Sequence, residues 1–286
     1  MINYIATATF GLEACVKREV IKLGFENVRT FDGRVEFTGD ESAIPRANLW
    51  LRCAGRVFVK MGEFKATSFE ELFQGTKALP WGDWIPVDGK FTVVGKSVKS
   101  TLHSVPDCQA IVKKAIVEKL KEKYDVDWFD ETGAEYTVQV ALLKDMATLT
   151  IDTSGSGLHK RGYRANALDA PLKETLAAAM VELSYWNKDR ILLDPFCGSG
   201  TIPIEAALIA RNIAPGLNRH FASEKWERVP ESLWKEERRK CYEAIDYDCM
   251  PEIYGSDIDP AAIELAKANA ELAGVDDCIT FEVKPV

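Results

Sequence analysis

A short apolar run, a glycine-rich loop and an apolar helical pattern follow one another directly in "RILLDPFCGSGTIPIEAALIARNIA", residues 190–214. The same order of strand and helix returns in "EIYGSDID" and "PAAIELAKANAELAG", and a third strand pattern, "CITFEV", follows. Strands that alternate with helices are typical of a parallel, doubly wound sheet. The sequence therefore predicts part of a Rossmann-like α/β domain over residues 171–286.

Two further α/β blocks precede this region. Residues 1–64 show the order βαββαβ, which predicts a small ferredoxin-like domain with a primed hairpin turn at Asp32-Gly33. Residues 65–155 form a second α/β block, which contains a hairpin that turns at Lys144-Asp145. Residues 156–170 have no apolar period, and we interpret them as a linker.

Composition limits the class of protein. The chain has 286 residues, of which 47% are hydrophobic and 28% charged, as expected for a globular protein with real cores. No apolar stretch approaches the roughly 18–20 residues of a membrane span, and no signal peptide is evident at the start. The seven scattered cysteines include no C-x-x-C, which predicts reduced thiols, no metal site and a cytoplasmic location.

The glycine loop can be interpreted in three ways. A phosphate-binding Walker A loop needs a lysine beside its glycines, and no lysine lies between Lys188 and Lys225. A dinucleotide-binding loop needs a third glycine, and Pro203 stands at that position. An ordinary tight turn at a helix start remains an alternative.

A nucleoside-type methyl donor fits the spacing better. Asp194 ends one strand and can accept hydrogen bonds from an amine, and Asp257 ends the next strand, where a carboxylate can hold ribose hydroxyls. Gly198 and Gly200 allow a sharp turn, and the helix that begins near Thr201 favours a carboxylate at its N-terminus. Together these features predict S-adenosylmethionine (SAM) as the cofactor.

The motifs "DPFCGSGT", "LHKRGYR" and "APLKE" make the chain similar to the bacterial THUMP-domain RNA methyltransferases, specifically those that modify guanine N2 in 23S rRNA. The resemblance spans the whole chain and implies a ferredoxin-like domain, a THUMP RNA-binding domain and a methyltransferase core. It implies an enzyme that binds RNA and SAM, with Cys197 as a wall of the pocket. The cofactor residues it implies are Asp194, Pro195, Cys197, Gly198, Ser199, Gly200, Thr201, Asp257, Ile258, Pro171 and Leu172, with the segment from Ala170 to Glu174 over the methionine end.

The THUMP block also implies contacts with RNA. Positive charge and hydroxyl groups that can contact phosphates are concentrated before and within one predicted helix, although a solvated lysine face is an equal alternative. The linker adds charge beside an aromatic residue, which either stacks on a base or packs between domains. The predicted RNA-binding residues are Lys96, Lys99, Ser100, His103, Lys113, Lys160, Arg161, Tyr163 and Arg164.

One part of the family pattern is absent from the sequence. Amino-methylating enzymes of this type carry a Pro-Pro dipeptide before an aromatic residue, and these 286 residues contain no Pro-Pro. We therefore expect a C-terminally truncated fragment, or otherwise a degenerate protein, and we expect that residues 1–286 alone do not transfer methyl groups. Detectable methylation of rRNA by the purified chain would contradict that expectation. Alternatives for the function are a tRNA guanine-N2 methyltransferase and a non-catalytic RNA-binding protein that retains the SAM pocket.

Overall fold

The computed structural model describes residues 1–164 and 171–285. The first domain has the predicted βαββαβ order and is therefore ferredoxin-like, as expected from the sequence. Its elements are β1 (Ile2–Thr7), α1 (Glu13–Lys22), β2 (Glu26–Phe31), β3 (Arg34–Gly39), α2 (Ala43–Trp50) and β4 (Val57–Lys65).

The second block is also mixed α/β. Ser68 and Glu71 form a capping box at the start of its first helix, and Asp125 ends the long helix in the left-handed conformation. Its elements are α3 (Phe69–Lys77), β5 (Lys90–Val98), α4 (Val105–Tyr124), β6 (Glu135–Leu143) and β7 (Met146–Asp152).

The strands of both blocks form one seven-stranded sheet in the order β2-β3-β1-β4-β7-β6-β5. The junction is the antiparallel pairing of β4 with β7, from Phe58 opposite Asp152 to Lys65 opposite Met146. The predicted boundary between residues 64 and 65 therefore falls at the end of a shared strand. The main hydrophobic core lies between this sheet and its helices and extends to Trp226 and Trp234 of the third region.

The two predicted hairpins differ in their turns. Lys144 and Asp145 both have positive φ angles, 50° and 65°, and this pair connects β6 to β7 as predicted. At the other hairpin only Gly33 has a positive φ, so the prediction of a primed turn at Asp32-Gly33 is wrong. The reason is tertiary, because the Gly33 N–H donates to Glu13 Oε1 (2.8 Å) on α1 and the turn adapts to that contact.

The third region is the start of a parallel α/β domain. Its elements are α5 (Glu174–Leu183), β8 (Leu192–Asp194), α6 (Thr201–Ala210), α7 (Glu231–Glu243), β9 (Ile253–Asp257), α8 (Pro260–Ala273) and β10 (Ile279–Val283). The strands pair in the order β10-β9-β8 and every pairing is parallel, as the alternation of strands and helices predicts. Among the described residues, no helix combines the length and apolarity needed to cross a bilayer.

The charged insertion between α6 and β9 packs on the first two blocks. The Trp226 ring stacks on Tyr136 of β6, with 4.8 Å between centroids, and its indole N–H donates to the Glu135 carbonyl. On α7, Glu237 accepts from the guanidinium of Arg46 on α2 at 3.2 Å. The insertion thus holds the third region against the first two.

Candidate cofactor site

The glycine loop lies between β8 and α6, and its shape is held by backbone hydrogen bonds. The Phe196 N–H donates to Asp194 Oδ1 (3.2 Å), and the Gly200 N–H donates to the Cys197 carbonyl (2.8 Å). Gly198 and Gly200 have φ angles of 51° and 80°, in the left-handed region where a side chain is strained. The loop therefore requires both glycines for its turn.

The two predicted acids lie at the same edge of the sheet. β8 pairs in parallel with β9, with Asp194 opposite Gly255, so the carboxyl ends of the strands that carry Asp194 and Asp257 are neighbours. Asp257 Oδ2 accepts from the Gly198 N–H (3.0 Å), and its Oδ1 accepts from the Asp259 N–H (3.0 Å). Burial and, secondarily, the charge of Asp257 raise the pKa of Asp194. The structure thus brings both acids and the loop together.

Helix α8 supports the loop from behind. Asn269, which is fully buried, donates from its side-chain amide to the Ser199 carbonyl at 3.0 Å. A Cβ on Gly200 would lie 3.0 Å from both Ala266 and Phe281, whereas a Cβ on Gly198 would meet no atom within 4 Å. Gly200 faces the packed support, and Gly198 faces open space.

Two matched substitutions are expected to separate folding from ligand binding. Gly200→Ala adds an overpacking cost of roughly 1–3 kcal/mol to the backbone cost of its positive φ, and should lower the unfolding temperature more than Gly198→Ala does. Gly198→Ala carries only the backbone cost of about 1–2 kcal/mol but places its methyl group where we expect the cofactor, and should weaken SAM binding on the order of tenfold. Calorimetric titration and thermal melts of both variants test this pair. Equal SAM affinity in Gly198→Ala and the wild type would contradict it.

Cys197 has the properties of a wall residue. Its side chain is buried, and its backbone N–H donates to the Ser256 carbonyl at 2.9 Å. Burial, together with the charges of Asp194 and Asp257, raises the pKa of this thiol to about 12. The thiolate that a nucleophilic role requires is therefore strongly disfavoured. Ile258, by contrast, is exposed beyond the end of β9.

Two of the residues predicted to contact RNA are buried instead. Arg161 and Tyr163 are each only 3% exposed, so neither can reach a phosphate or stack on a base, and their prediction as RNA-binding residues is wrong. Both hold Glu205, since Tyr163 Oη donates to Glu205 Oε1 (3.1 Å) and Arg161 lies 3.4 Å from the same oxygen. Arg161 also donates to the Arg52 carbonyl at 2.6 Å. These side chains join the domains, the alternative left open for Tyr163.

Glu205 was not singled out from the sequence, although a signal exists. It is the one acid in the apolar pattern of α6, "TIPIEAALIA", and it is completely buried. A buried carboxylate needs a partner, and the partners lie in the segment that was interpreted as a linker. Asn269 was missed in the same way, as a polar residue on the inner face of α8.

Arg164 connects this junction to the cofactor loop. Its Nη2 donates to Thr201 Oγ1 (2.7 Å) at the first residue of α6 and to the Leu172 carbonyl (3.2 Å). Pro171 and Lys173 line a cleft with Arg164 and the exposed Lys160. The predicted cover over the methionine end runs from Ala170 to Glu174. Ala170 lies outside the described residues, and Pro171 to Glu174 lie within them.

The remaining predicted RNA-binding residues do not form one patch. Lys96 lies on the sheet face without helices, Lys99 follows at the end of β5, and Lys113 lies in the helix layer with its ammonium group 5.6 Å from the Phe91 ring centroid. Ser100 is engaged in the turn, because its hydroxyl donates to the Val98 carbonyl and accepts from the Asp145 N–H. The exposed His103 lies before α4.

A second cluster of acids lies between α1 and α5. Side-chain oxygen and sulfur atoms of Glu19, Cys53 and Glu182 approach within 4.8 Å of one another. Glu19 also accepts from the backbone N–H groups of Arg52 (2.9 Å) and Cys53 (3.1 Å). Glu19 and Glu182 line a cavity of about 310 Å³. Lys22 and Arg52 line it too, and their positive charges disfavour a bound cation.

The stability of the protein should depend on pH through this cluster. Burial, and then the charge of Glu182, raises the pKa of Glu19 to about 7 in the folded state. The folded protein therefore keeps a proton that the unfolded chain releases above about pH 4.3, so stability falls as the pH rises from that value to about 7. We expect a lower unfolding temperature at pH 8 than at pH 5, and a smaller difference in Glu19→Gln. An identical pH dependence in the variant would contradict the assignment to Glu19.

Comparison with known families agrees with the architecture. Residues 3–58 match the RlmL ferredoxin-like domain, residues 66–152 match the THUMP domain, and residues 161–286 match the RMKL-like methyltransferase domain. YpsC of Bacillus subtilis strain 168, which is named as a candidate RNA methyltransferase, is 57% identical over 280 residues, covering 97% of this chain and 72% of YpsC. The chain belongs to the THUMP-domain methyltransferase family.

Solved structures of this family have the same fold. A Listeria monocytogenes protein, named as a predicted N6-adenine-specific DNA methylase, superposes with a TM-score of 0.96 at 56% identity, over 99% of this chain and 75% of that chain. SMU.472, named as a candidate methyltransferase and solved with S-adenosylhomocysteine (SAH), superposes with a TM-score of 0.93 at 45% identity, over 98% of this chain and 74% of the SMU.472 chain. SAH is the product that SAM leaves after methyl transfer, so this THUMP-domain methyltransferase uses SAM. TrmN from Thermus thermophilus, at 21% identity and a TM-score of 0.67, shares the fold.

Proposed function

We propose that this THUMP-domain methyltransferase serves the transfer of a methyl group from SAM to the exocyclic N2 of a guanine in 23S rRNA, a reaction that residues 1–286, which lack the Pro-Pro motif, are not expected to complete alone. The observation that carries the proposal is a positively charged cleft directly beside the cofactor loop. Lys160 and Lys173 supply its positive charge, because the third cation, Arg164, is paired with Glu174 of the same cleft at 3.5 Å. Arg164 also donates to Thr201, the first residue of the helix that follows the loop. The negatively charged RNA backbone and the methyl donor would thus be held next to each other.

SAM supplies an activated methyl group, and the chain's residues bind and orient it. We assign Asp194 to the amine and Asp257 to the ribose hydroxyls, because both carboxylates reach the loop from neighbouring strand ends. The first turn of α6 leaves N–H groups without helical acceptors, which suits the methionine carboxylate. Pro195, Cys197 and Ser199 complete the wall, and the exposed Ile258 covers the adenine.

The choice of guanine N2 in 23S rRNA rests on the sequence motifs and on the RlmL-type ferredoxin-like domain over residues 3–58. A THUMP domain supports RNA as the partner, and the name of YpsC agrees with RNA methylation. The name of the Listeria relative favours a second candidate, N6-adenine methylation of DNA. We place the activity in the cytoplasm, since all seven cysteines are free and buried.

Deletion of the gene in its host, followed by mass spectrometry of digested nucleic acids, distinguishes these functions. We expect N2-methylguanosine to fall in 23S rRNA and to return when the gene is restored. A loss confined to tRNA would support the tRNA enzyme, and a loss of N6-methyladenine in DNA would support the second candidate. Unchanged nucleosides in all three would refute a methyltransferase function of these classes.

The charged cleft has its own test. Lys160→Ala and Lys173→Ala should each weaken binding of a 23S rRNA transcript and lower the slope of log affinity against log salt by about 1, the value for one lost phosphate contact. Lys235→Ala on the exposed side of α7 removes an equal charge away from the cleft and serves as the control. Equal losses in all three variants would contradict a local role of the cleft.

A further inference from the structure

Within residues 1–164 and 171–285, one face of the seven-stranded sheet has no helix on it. Side chains on one face, such as Tyr136, Val138 and Val140 of β6, belong to the main core with helices α1–α4. The alternate residues Thr137, Gln139 and Ala141 point to the opposite face and are partly exposed. A sheet face with this many polar side chains and no covering layer is available to a ligand.

The uncovered face encloses a cavity rather than a flat surface. Residues of β3 and β5 line the same cavity, although these strands are five positions apart in the sheet and would be about 24 Å apart if it were flat. The sheet therefore curls, and Arg34 of β3 reaches across to Thr148 of β7 with an Nη1 to Oγ1 distance of 3.4 Å. The enclosed volume is about 240 Å³.

The cavity combines an apolar floor with polar groups that lack partners. Ile5 and Phe58 are 4% exposed and lie outside the main core, on the floor of this cavity. Thr150 is also 4% exposed, and among the described residues its hydroxyl has no hydrogen-bond partner. The Gln139 amide lines the same space. A buried hydroxyl without a partner is costly, and a ligand with polar edges would satisfy it.

Charged side chains of both signs line the cavity, and the Asp32 carboxylate is one of them. Lys96 of β5 lines the cavity and makes no ion pair within residues 1–164 and 171–285, while Arg34 is paired with Glu36 (2.9 Å) and Glu63 (3.0 Å). One ammonium group is therefore free for a phosphate. The volume is below the roughly 300–1,000 Å³ of sites for drug-sized ligands, so it suits one planar ring system.

We propose that this cavity binds a single unpaired nucleobase of the RNA substrate, with an adjacent phosphate on Lys96. The floor supplies apolar contact to the ring, and the Thr150 hydroxyl and Gln139 amide bind its polar edge. RNA-binding proteins recognise unpaired bases in this way, by ring contacts and hydrogen bonds to exposed edges. The inference rests on the proposed RNA substrate, and it adds a contact distant from the cofactor loop.

The test compares binding of a fluorescent 12-nucleotide single-stranded RNA of mixed sequence with the same sequence as a duplex. The double variant Gln139→Leu with Thr150→Val keeps the volume of both side chains and should weaken single-strand binding about tenfold, with little effect on the duplex. Thr92→Val makes the same chemical change on the same sheet face outside the cavity and should have no effect. Unchanged thermal melts and SAM affinity show that the double variant remains folded.

The outcomes separate this inference from the proposed function. If the double variant binds the single strand as tightly as the wild type while Lys160→Ala weakens the 23S rRNA transcript, the cavity is not a base site and the proposed function stands. If the wild-type chain binds neither the single strand nor the 23S rRNA transcript, both the base site and the proposed function are refuted. Tight binding of free AMP or GMP, lost in the double variant without any change in RNA affinity, would assign the cavity to a mononucleotide and overturn the inference.

Discussion

Replacing Asp257 with alanine should weaken SAM binding by on the order of 100-fold. A hydrogen bond to a charged group contributes about 1.5–3 kcal/mol, and each 1.4 kcal/mol is a tenfold change in affinity. Two ribose hydroxyls on one carboxylate account for an effect of this size. The loss also removes the acceptor of the Gly198 N–H, so the loop is less well held for the ligand. Calorimetric titration with SAM and SAH measures the change.

The neighbouring acid provides the matched control. Asp259 lies two residues beyond Asp257 and caps α8, with its Oδ1 accepting from the Ala261 N–H at 2.9 Å. Asp259→Ala should cost about 1 kcal/mol of stability through the lost cap but leave SAM affinity within about threefold of the wild type. If both variants lose affinity to the same extent, the effect comes from disturbance of the strand end, and Asp257 has no direct role.

The second large effect concerns the free energy of unfolding. Glu205→Ala leaves Arg161 as a buried guanidinium without its counter-ion, which typically costs about 3–5 kcal/mol. The Tyr163 hydroxyl loses its acceptor as well. Because these side chains lie between the segment after β7 and α6, we expect the loss to appear as a lower urea midpoint of the methyltransferase region. Tryptophan fluorescence follows the transition, since Trp186 packs with the core of this region.

Two variants with smaller expected losses of stability serve as controls for this prediction. Tyr163→Phe removes one hydrogen bond and should cost about 1 kcal/mol. Glu243→Ala breaks an exposed Arg–Glu pair on α7, with Arg239 61% and Glu243 59% exposed, and should cost less than about 1 kcal/mol. Equal destabilisation by Glu243→Ala and Glu205→Ala would show that burial of the pair is not what makes Glu205 important.

Much of the fold follows from local patterns. The strand and helix order of all three regions could be predicted because each element has its own apolar period and turn residues, as in β9 followed by the Asp259-Pro260 start of α8. The loop glycines and the two acids could be predicted because consecutive parallel strands end at one edge of a sheet. Their relation is set by topology and needs no knowledge of distant contacts.

Other features depend on contacts between distant parts of the chain. The pairing of β4 with β7 merges two blocks into one sheet, and neither strand's sequence indicates its partner. Arg161 and Tyr163 lie in a stretch of glycine, lysine and arginine that is typical of exposed loops. Their burial is explained by distant partners, chiefly the buried Glu205. The type of turn at Asp32-Gly33 depends on Glu13 from α1. Local composition is uninformative where a tertiary partner decides the conformation.

The most direct test of the cofactor site is a crystal structure of the chain with bound SAH. We expect both ribose hydroxyls within about 3.2 Å of the Asp257 carboxylate, the amine near Asp194, and the ligand in contact with the Cα of Gly198. SAH bound elsewhere, or bound at the loop with Asp257 turned away from the ribose, would contradict the assignment of this pocket.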